Sequence, residues 1–436
     1  MKKRVLLACL AVLLLAGITA SASMGKVTLR YYMWDPEIQK VESVLIKEFE
    51  KRNPNIKVEM TVLEPTVYWP KISGMAAAGQ LPDVISMSSG YFDQWAKDGL
   101  LLNLTDFVKR DLNPRDYFLE LFSTNRYPDK VRGNIYATPY AWVTTVLFYN
   151  KDMFDAAGVQ YPNDDWTWDD FLKAAQKLTV RDSKGTITRY GYWWYGRYAH
   201  VEPWIFANGG DLLNPNRTRV EFDKNAREAL QFLSDLATKY KVSPAFKDVA
   251  GIRQQDMFPL QQAAMWIDGS WNVGHVRDMV KDSIRWGIAK VPRGPSASPK
   301  DYRSYYWPDS IAISSNTKYP EAAWQFVKFL IGPDRPVSAF MGGKVPIYKP
   351  TAASKEWLQE DQQPGNFKII LELGDIPGKT SFTIGWSEWR GYAATGGAGM
   401  NGELDKVTNG EQTLTQALER VTKYGNDVLK RYYPAP

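Results

Sequence analysis

The stretch from Val27 to Glu64, "VTLRYYMWDPEIQKVESVLIKEFEKRNPNIKVEMTVLE", contains the clearest secondary-structure pattern in the chain. Apolar and polar residues alternate at both of its ends, in "VTLRYYMW" (27–34) and in "IKVEMTVLE" (56–64), and this pattern predicts two strands. Between them, apolar residues recur at helical spacing from Ile38 to Phe49, and the pattern ends at Asn53 and Pro54. A strand, a helix and a strand in this order favour parallel pairing through a right-handed crossover.

The rest of the chain continues this alternation of strands and helices. We predict a helix near residues 67–78, a buried strand in "DVISM" (83–87), and two short strands broken at Pro139 in "GNIYATPYAWVTTVLFYN" (133–150). "TWDDFLKAAQKL" (167–178) predicts a helix capped by Thr167 and Asp170, and further helices are expected near residues 227–239, 320–331 and 411–430. The pattern indicates an α/β protein. Its 436 residues suffice for two domains, because single cores stop growing at roughly 250–300 residues.

A polar segment rich in Pro and Gly, "PRGPSASPKDYRSYYWPDS" (292–310), interrupts this pattern. Strand-like sequences lie on both sides of it, "RWGIAKVP" (285–292) and "SIAISS" (310–315). We therefore interpret the segment as a surface crossing rather than a domain linker. The chain is then expected to pass between its two domains more than once.

The first 26 residues, "MKKRVLLACLAVLLLAGITASASMGK", have the pattern of a secretory signal peptide. A basic start, an apolar run over residues 5–18 and an A-x-A signal at residues 20–22 predict cleavage after Ala22. The apolar run is short for a membrane anchor, which needs ~20 residues. Cys9 is the sole cysteine and lies inside this run. We therefore expect a chain secreted across the inner membrane to the periplasm or cell surface, without a lipid anchor or a disulfide.

Charge and motif patterns argue against several function classes. The net charge of +6 is spread along the chain, which gives no sign of nucleic-acid binding. His200 and His275 are the only histidines, and neither lies in a metal-binding or catalytic-triad motif. A G-x-G-x-x-G begins at Gly397 but follows no strand, and the sequence has no Walker motif. We expect no cofactor and no metal.

Aromatic residues are in excess. The chain has 17 Trp residues and an aromatic fraction of 14%, more than core packing usually requires. Four carboxylates lie among these aromatics in the sequence, namely Asp35, Glu202, Asp268 and Asp309. Aromatic faces stack on sugar rings while carboxylates accept hydrogen bonds from sugar hydroxyls. Since hydrolysis uses the same groups, composition leaves both a sugar-binding protein and a secreted glycosidase open.

Several motifs in a fixed order resemble those of one protein family. They are "LPDVISMSSGYFDQWAKDGLLLNLTDF" (81–107), "GNIYATPYAWVTTVLFYNKDMFDAAGV" (133–159), "WTWDDFLKAAQKLT" (166–179), "AAMWIDGSW" (263–271), "EAAWQFVKFLIG" (321–332) and "GGKVPIYK" (342–349). Each is weak by itself, but the ordered set covers nearly the whole mature chain. It resembles the extracellular solute-binding proteins of ABC importers, in the large sugar-binding family that includes maltose-binding proteins.

The resemblance implies two α/β lobes that close on a ligand like a hinged clamp, the type II-like fold of periplasmic binding proteins. It places the chain crossings near residues 136–142 and 307–314, with a third near 285–289. After a signal peptide of residues 1–22, the N-lobe is then residues 24–140 plus 286–311, and the C-lobe is residues 141–285 plus 312–436.

By position, the resemblance also implies ligand-binding residues at strand ends and hinge turns that face the cleft. In the N-lobe and the hinge they are Trp34, Asp35, Trp69, Ser89, Tyr91, Tyr140, Trp142 and Trp307. In the C-lobe they are Trp194, Tyr195, Glu202, Asp268, Trp271, Trp386, Trp389 and Arg390. The aromatic window "RYGYWWYGRYAHVEPW" (189–204) is then a flat platform rather than core, and Arg197 is a candidate ion-pair partner of Glu202.

The implied function is the substrate-binding component of an ABC sugar importer, without enzymatic activity. It captures a mono- or oligosaccharide between the lobes and delivers it to the transmembrane subunits of a permease. We expect a monomer that stays open until a carbohydrate ligand binds. Two alternatives stay open, a receptor for a non-sugar solute such as a glycerophosphate ester, held by Arg197 or Arg390, and a secreted glycosidase that uses Glu202 and Asp268.

Overall fold

A computed structural model describes residues 26–34, 38–249, 251–253, 255–340, 342–392 and 398–433 of the chain. The predicted signal peptide, the candidate ligand residue Asp35 and Gly397 of the G-x-G-x-x-G motif lie outside the described residues. Among those described, no helix combines the length and the apolar character needed to cross a bilayer.

The strands are β1 Val27–Met33, β2 Ile56–Val62, β3 Val84–Ser88, β4 Arg126–Tyr127, β5 Asn134–Ile135, β6 Thr138–Asn150, β7 Val180–Arg181, β8 Ile187–Trp193, β9 Ala263–Gly269, β10 Trp286–Ala289, β11 Tyr306–Ile313 and β12 Val345–Pro346. Strands β4 and β5 form a small hairpin. The others form one sheet with the order β2-β1-β3-β11-β6-β9-β8-β7, and β10 and β12 pair with β6 at its sides.

The helices are α1 Gln39–Arg52, α2 Pro65–Ala77, α3 Ser89–Lys97, α4 Thr105–Asp111, α5 Lys151–Ala156, α6 Trp168–Leu178, α7 Tyr198–Ala207, α8 Lys224–Thr238, α9 Phe246–Val249, α10 Asn272–Val280, α11 Pro320–Ile331, α12 Lys349–Ala352, α13 Lys355–Leu358, α14 Ile369–Glu372, α15 Trp386–Arg390, α16 Met400–Thr408 and α17 Leu414–Lys430. Short 3₁₀ helices lie at Pro114–Asp116, Leu119–Asn125, Val337–Ala339 and Leu373–Asp375.

The first strand–helix–strand unit has the predicted geometry. Strands β1 and β2 pair in parallel over their whole length, and β1 also pairs in parallel with β3. Residues Leu45 and Phe49 of α1 are buried in the same core as Leu29 of β1. The alternation that identified β1 places Leu29, Tyr31 and Met33 in the core. The parallel α/β start of the chain is therefore confirmed.

The predicted break at Pro139 is wrong, because β6 runs without interruption through it. Proline lacks an N–H and normally interrupts a sheet ladder. Here Pro139 lies opposite Ser310, where the register of β11 shifts between Asp309 and Ser310. The extra residue is Tyr140 of β6, which lies between the partners of Asp309 and Ser310, so the ladder is irregular next to Pro139. One buried strand of 13 residues replaces the two short strands that we expected.

Strand β6 links the two halves of the sheet. Its first part pairs with β11, which in turn pairs with β3, while its last part pairs with β9 and β10. One lobe is thus built on β1, β2 and β3, which we call the first lobe, and the second lobe is built on β7, β8 and β9. Strands β6 and β11 lie at the junction, near the two crossings that the sequence predicted.

Helix positions agree well with the sequence, and their ends follow the caps. The hydroxyl of Thr167 accepts from the Asp170 N–H, and the Asp170 carboxylate accepts from the Thr167 N–H, so the predicted capping box of α6 is confirmed. Helix α17 begins at Leu414 rather than near residue 411, because Thr413 and Gln416 form a second capping box. Helix α11 has the predicted bounds.

The exact limits of the two lobes stay a prediction. Contacts of β10 and α11 show which lobe each of these two elements packs against. Strand β10 pairs with the last part of β6, and the Arg293 N–H donates to the Trp166 carbonyl at 2.9 Å. Residues 286–293 therefore lie against the second lobe. Helix α11 packs on the first lobe instead, where the ring of Phe326 contacts those of Tyr31 and Phe49 at 5.3 and 5.1 Å.

Candidate functional site

The candidate site lies at the junction of the lobes, where strand ends and helix starts meet. Strand β9 ends there, α7 and α3 begin there, β11 crosses there, and α15 lies alongside. The side chains that converge are Arg197, Tyr198, Asp268, Trp271, Trp307, Asp309, Trp386 and Tyr392. This arrangement follows the general rule that ligands bind beyond the strand ends of α/β sheets.

An ion pair between Arg197 and Asp268 forms the polar part of the site. The Arg197 Nη1 donates to Asp268 Oδ2 at 2.8 Å, and the Arg197 side chain retains 12% exposure while Asp268 has none. Burial alone raises the pKa of Asp268, but Arg197, His200 and the Gly269 N–H outweigh it, so that this pKa is lowered. The carboxylate therefore stays ionised at neutral pH, with only its guanidinium partner open to solvent.

His200 lies behind this pair and is fully buried. Its Nε2 lies 3.1 Å from Asp268 Oδ2, and its Nδ1 accepts from the Tyr195 N–H at 3.3 Å. Burial, only partly offset by Asp268, lowers the pKa of His200. The ring is thus a neutral support for the carboxylate rather than a solvent-facing base.

Aromatic rings surround the guanidinium. Arg197 lies 5.7 Å from the ring centroid of Trp271 and 5.6 Å from that of Tyr198. Trp307 contacts both rings, at centroid distances of 5.5 and 5.4 Å. Trp271 and Tyr198 are half-buried, whereas Trp307 is buried. The site thus offers aromatic faces next to a hydrogen-bonding edge, which suits a ring with both C–H faces and hydroxyls.

A second ion pair joins Asp309 to Lys344. The Lys344 Nζ lies 3.1 Å from Asp309 Oδ2 and donates to the Tyr140 hydroxyl at 3.0 Å. Tyr140 is buried, and the Arg335 guanidinium lies 5.2 Å from its ring centroid. Tyr140 therefore packs between Lys344 and Arg335 and holds the lysine that pairs with Asp309. It does not face the cleft, although the resemblance implied that it would.

Of the two C-terminal tryptophans, Trp386 is the one that lies at the site. Its ring stacks on Tyr392 at 5.0 Å with an interplanar angle of 11°, and meets Tyr198 edge-on at 5.4 Å. Trp389 is fully buried among the core residues of the second lobe, next to Gly425 of α17. The structure therefore places Trp389 in the core and not at the site, where the resemblance implied a ligand contact; Trp386 is also buried, with 3% exposure, but its ring borders Tyr198 and Tyr392 of the site.

Glu202 and Arg390 form a fully buried ion pair. The Arg390 Nε and Nη2 each donate to one carboxylate oxygen of Glu202 at 2.8 Å, and Nη1 donates to the Gly196 carbonyl at 2.7 Å. Both side chains have no exposure. The suggested pair between Glu202 and Arg197 is wrong, because Arg390 satisfies both carboxylate oxygens. Neither residue is placed to touch a ligand directly.

The aromatic window at 189–204 is mostly core rather than a platform. Trp194 is fully buried, and so are its neighbour Trp193 and, six residues further on, His200. Tyr195 is half-buried and packs on His200 at 4.8 Å. The reason is that β8 lies between β7 and β9 with helices packed on it, and α7 is buried almost all round. Of the window, Arg197, which caps α7, and Tyr198, the first residue of α7, face the site.

The predicted residues of the first lobe form a separate aromatic cluster. Trp69 stacks on Tyr91 at 3.7 Å with an interplanar angle of 3°, and Trp34 lies 5.6 Å from Trp69. All three are half-buried. The Ser89 hydroxyl donates to the Pro308 carbonyl at 3.1 Å. These residues lie together on the first-lobe side, whereas Trp142 is buried under Tyr306 at 5.5 Å.

The site includes residues that the sequence did not place there. Arg197 was considered only as a phosphate ligand or as a partner of Glu202, and Asp309 only as a carboxylate among aromatics. Tyr198, Lys344 and Tyr392 were not singled out. A signal for Arg197 and Tyr198 existed, because polar or aromatic residues between a strand and a helix often lie at a cleft edge. No local signal marked Lys344 or Tyr392.

A family model described as "Bacterial extracellular solute-binding protein" matches residues 35–335. The chain belongs to this family. The arabinooligosaccharide-binding protein of Bacillus subtilis (strain 168) is 25% identical to this chain over 395 residues. The match covers 83% of this chain and 85% of the relative. The multiple sugar-binding protein of Streptococcus mutans serotype c is 25% identical over 338 residues, covering 73% and 75%.

A solved structure supports the same assignment. An ABC substrate-binding protein of Listeria monocytogenes in complex with cycloalternan superposes on the present chain with a TM-score of 0.80. The two are 25% identical, and the match covers 94% of this chain and 100% of the other. The predicted family and the two-lobe α/β fold are therefore confirmed. Among the described residues, no group of three His, Cys, Asp or Glu side chains is arranged to hold a metal ion.

Proposed function

We propose that this protein is the substrate-binding component of an ABC sugar importer. It captures a mono- or oligosaccharide at the junction of the lobes and delivers it to the transmembrane subunits of a permease. The observation that carries the proposal is the Arg197–Asp268 pair, whose guanidinium lies over the rings of Trp271 and Tyr198. Relatives whose names specify arabinooligosaccharides and multiple sugars support a carbohydrate ligand.

The charge arrangement favours a neutral ligand. Each of three cations near the site is paired with a carboxylate, in the pairs Arg197–Asp268, Lys344–Asp309 and Arg390–Glu202. A phosphate ester needs cations that are free to compensate its charge, whereas a sugar needs donors and acceptors side by side. The paired charges therefore favour a saccharide over the glycerophosphate ester that we considered.

The same pairs argue for binding without hydrolysis. A glycosidase needs one carboxyl group whose pKa is raised, so that it can protonate the leaving oxygen. The pKa of Asp268 is lowered instead, and Glu202 is buried in a bidentate pair with Arg390. The two carboxylates that we named for hydrolysis are thus held in other roles. We propose that the protein is a monomeric, non-enzymatic receptor outside the cytoplasm.

The test is a titration of intrinsic tryptophan fluorescence and of heat release with a panel of sugars, from monosaccharides to arabino- and malto-oligosaccharides. Binding of at least one member is expected. Asp268→Asn should weaken that binding about 10- to 100-fold, because Arg197, the exposed member of the pair, loses the buried carboxylate that holds its guanidinium in place, and a charge-assisted hydrogen bond contributes about 1.5–3 kcal/mol. Trp271→Ala should also weaken it, through loss of an aromatic face.

The matched control is Asp155→Asn. Asp155 pairs with Arg285 at 2.7 Å on the surface, away from the site, and its replacement should leave the affinity unchanged. A protein that ignores every sugar but binds a glycerophosphate ester would contradict the proposal, as would release of shorter sugars from an oligosaccharide during the titration.

A further inference from the structure

The segment that joins β8 to α7 is held at Gly196 by two elements that are distant in the sequence. The Gly196 N–H donates to Asp405 Oδ1 of α16 at 2.8 Å, and the Gly196 carbonyl accepts from Arg390 Nη1 of α15 at 2.7 Å. A β-carbon on Gly196 would overlap the backbone carbonyl of Asn401, so α16 leaves no room for a side chain there. Both polar groups of the Gly196 backbone are therefore bound by the C-terminal part of the chain.

Gly196 directly precedes Arg197, the cation of the candidate site. The peptide plane between these two residues sets the direction in which the Arg197 side chain leaves the backbone. From there, Arg197 Nη1 reaches Asp268 Oδ2 at 2.8 Å. On the other side of Arg197, the Tyr198 N–H donates to the Tyr392 hydroxyl at 3.4 Å. The hydrogen bonds of Gly196 therefore help to determine where the guanidinium of Arg197 lies.

The carboxylate of Asp405 is an unfavourable group at its position. Within the described ranges its one hydrogen bond is that from Gly196, and it forms no ion pair. Burial raises the pKa of Asp405 to about 6, against the opposing effects of the Gly196 N–H and Arg390, so the ionised form costs stability at neutral pH. An asparagine has nearly the same shape and would avoid this cost. The charge therefore indicates a role in holding Gly196 rather than in stabilising the fold.

Few titratable groups act on Asp405. Arg390 faces it from α15, and Tyr195 lies next to Gly196 within electrostatic reach. On its own helix, Glu403 and Lys406 pair with each other at 2.7 Å. Among the described residues, no charged side chain of α8, α9 or α17, which also pack against α16, alters the pKa of Asp405. A change of charge near pH 6 at this position therefore belongs to Asp405 itself.

We propose that Asp405 is a positioning residue for ligand binding, whose ionised carboxylate holds the Gly196 peptide so that Arg197 stays aligned with Asp268. The inference rests on the proposed function, in which Arg197 and Asp268 lie at the ligand site. Protonation of Asp405 replaces a charge-assisted hydrogen bond with a neutral one that is about half as strong. The affinity for the ligand is then full above pH 7, falls as the pH falls through about 6, and is about 3- to 10-fold lower at pH 5.

The test is calorimetric titration of the full chain with arabinotriose and with maltotriose between pH 5 and 7.5. Asp405→Asn keeps the shape and the acceptor but never carries the charge. Its affinity at pH 7 should equal that of the wild type at pH 5 and should stay constant over the whole range. The same variant should unfold at pH 7 no more easily than the wild type, because it removes a destabilising carboxylate. A weaker affinity without a loss of stability cannot come from a folding defect.

The matched control is Asp129→Asn. The Asp129 carboxylate also accepts from backbone N–H groups, those of Val131 and Arg132 at 2.8 and 2.6 Å, but in the exposed turn between β4 and β5. This variant should keep the affinity of the wild type and its dependence on pH.

A second measurement needs no sugar. In NMR spectra of the ¹⁵N-labelled protein, the Gly196 amide and the Arg197 Nε–H resonances should both shift with pH around a midpoint of about 6, and Asp405→Asn should abolish both shifts. Resonances that do not move in the wild type, or an Asp405→Asn affinity equal to that of the wild type at pH 7, would overturn the inference. If neither sugar binds, the proposed function fails, whereas the resonances still support or overturn the positioning of Arg197 by Asp405.

Discussion

Replacing Glu202 with Gln should destabilise the protein strongly. The substitution keeps the shape of the side chain but removes the charge, so the guanidinium of Arg390 is left buried without a compensating carboxylate. Breaking a buried ion pair in this way costs about 3–5 kcal/mol, a large part of the 5–15 kcal/mol that stabilises an ordinary domain. At about 2–4 °C per kcal/mol for a lobe of this size, the unfolding midpoint should fall by about 6–20 °C.

Thermal unfolding followed by circular dichroism and calorimetry at pH 7 measures this shift. The control is Glu221→Gln, because Glu221 pairs with Arg219 on the surface, where both side chains are more than half exposed. Its midpoint should stay close to that of the wild type. The double variant Glu202→Met/Arg390→Met should recover much of the loss, since well-packed apolar groups can replace a buried pair. Equal midpoints for the Glu202 and Glu221 variants would refute the reasoning.

Two further predictions concern stability. Burial raises the pKa of Asp405 to about 6, although the Gly196 N–H and Arg390 oppose this shift. The ionised carboxylate therefore destabilises the folded protein above pH 6, but not below pH 4, where the carboxyl group is protonated in the folded protein. Asp405→Asn should therefore stabilise the protein at pH 7 by at most about 3 kcal/mol, and unfolding curves at pH 4 should show no gain. Gly191→Ala places a methyl group into the backbone carbonyl of Ala175 and should destabilise by about 1–3 kcal/mol or more. Gly365→Ala is the control, because a β-carbon there meets nothing within 4 Å. In denaturant titrations the Gly191 variant should unfold at a lower denaturant concentration than the Gly365 variant.

The local elements and the family could be predicted from the sequence. Alternation at β1 and β2 and the helical stripe of α1 depend on neighbouring residues only, so they could be read directly. The capping box at Thr167 is equally local. The order of the motifs pointed to the solute-binding family and to ligand-binding residues at strand ends; Asp268 and Trp271 lie at the end of β9, and their contact with a ligand stays a prediction.

Which side chains contact one another could not be predicted from local patterns and depends on the packing of the whole chain. Arg390 pairs with Glu202 across 188 residues of sequence, and no local pattern marks that partnership over the nearer Arg197. Trp194 and Trp389 read as surface aromatics among polar neighbours, yet helices of the second lobe cover both. The physical reason is that burial and ion pairing depend on how distant segments pack together. The packing of the C-terminal helices onto α7 and α3 thus fixes the site, whereas short-range periodicity fixes only the elements that carry it.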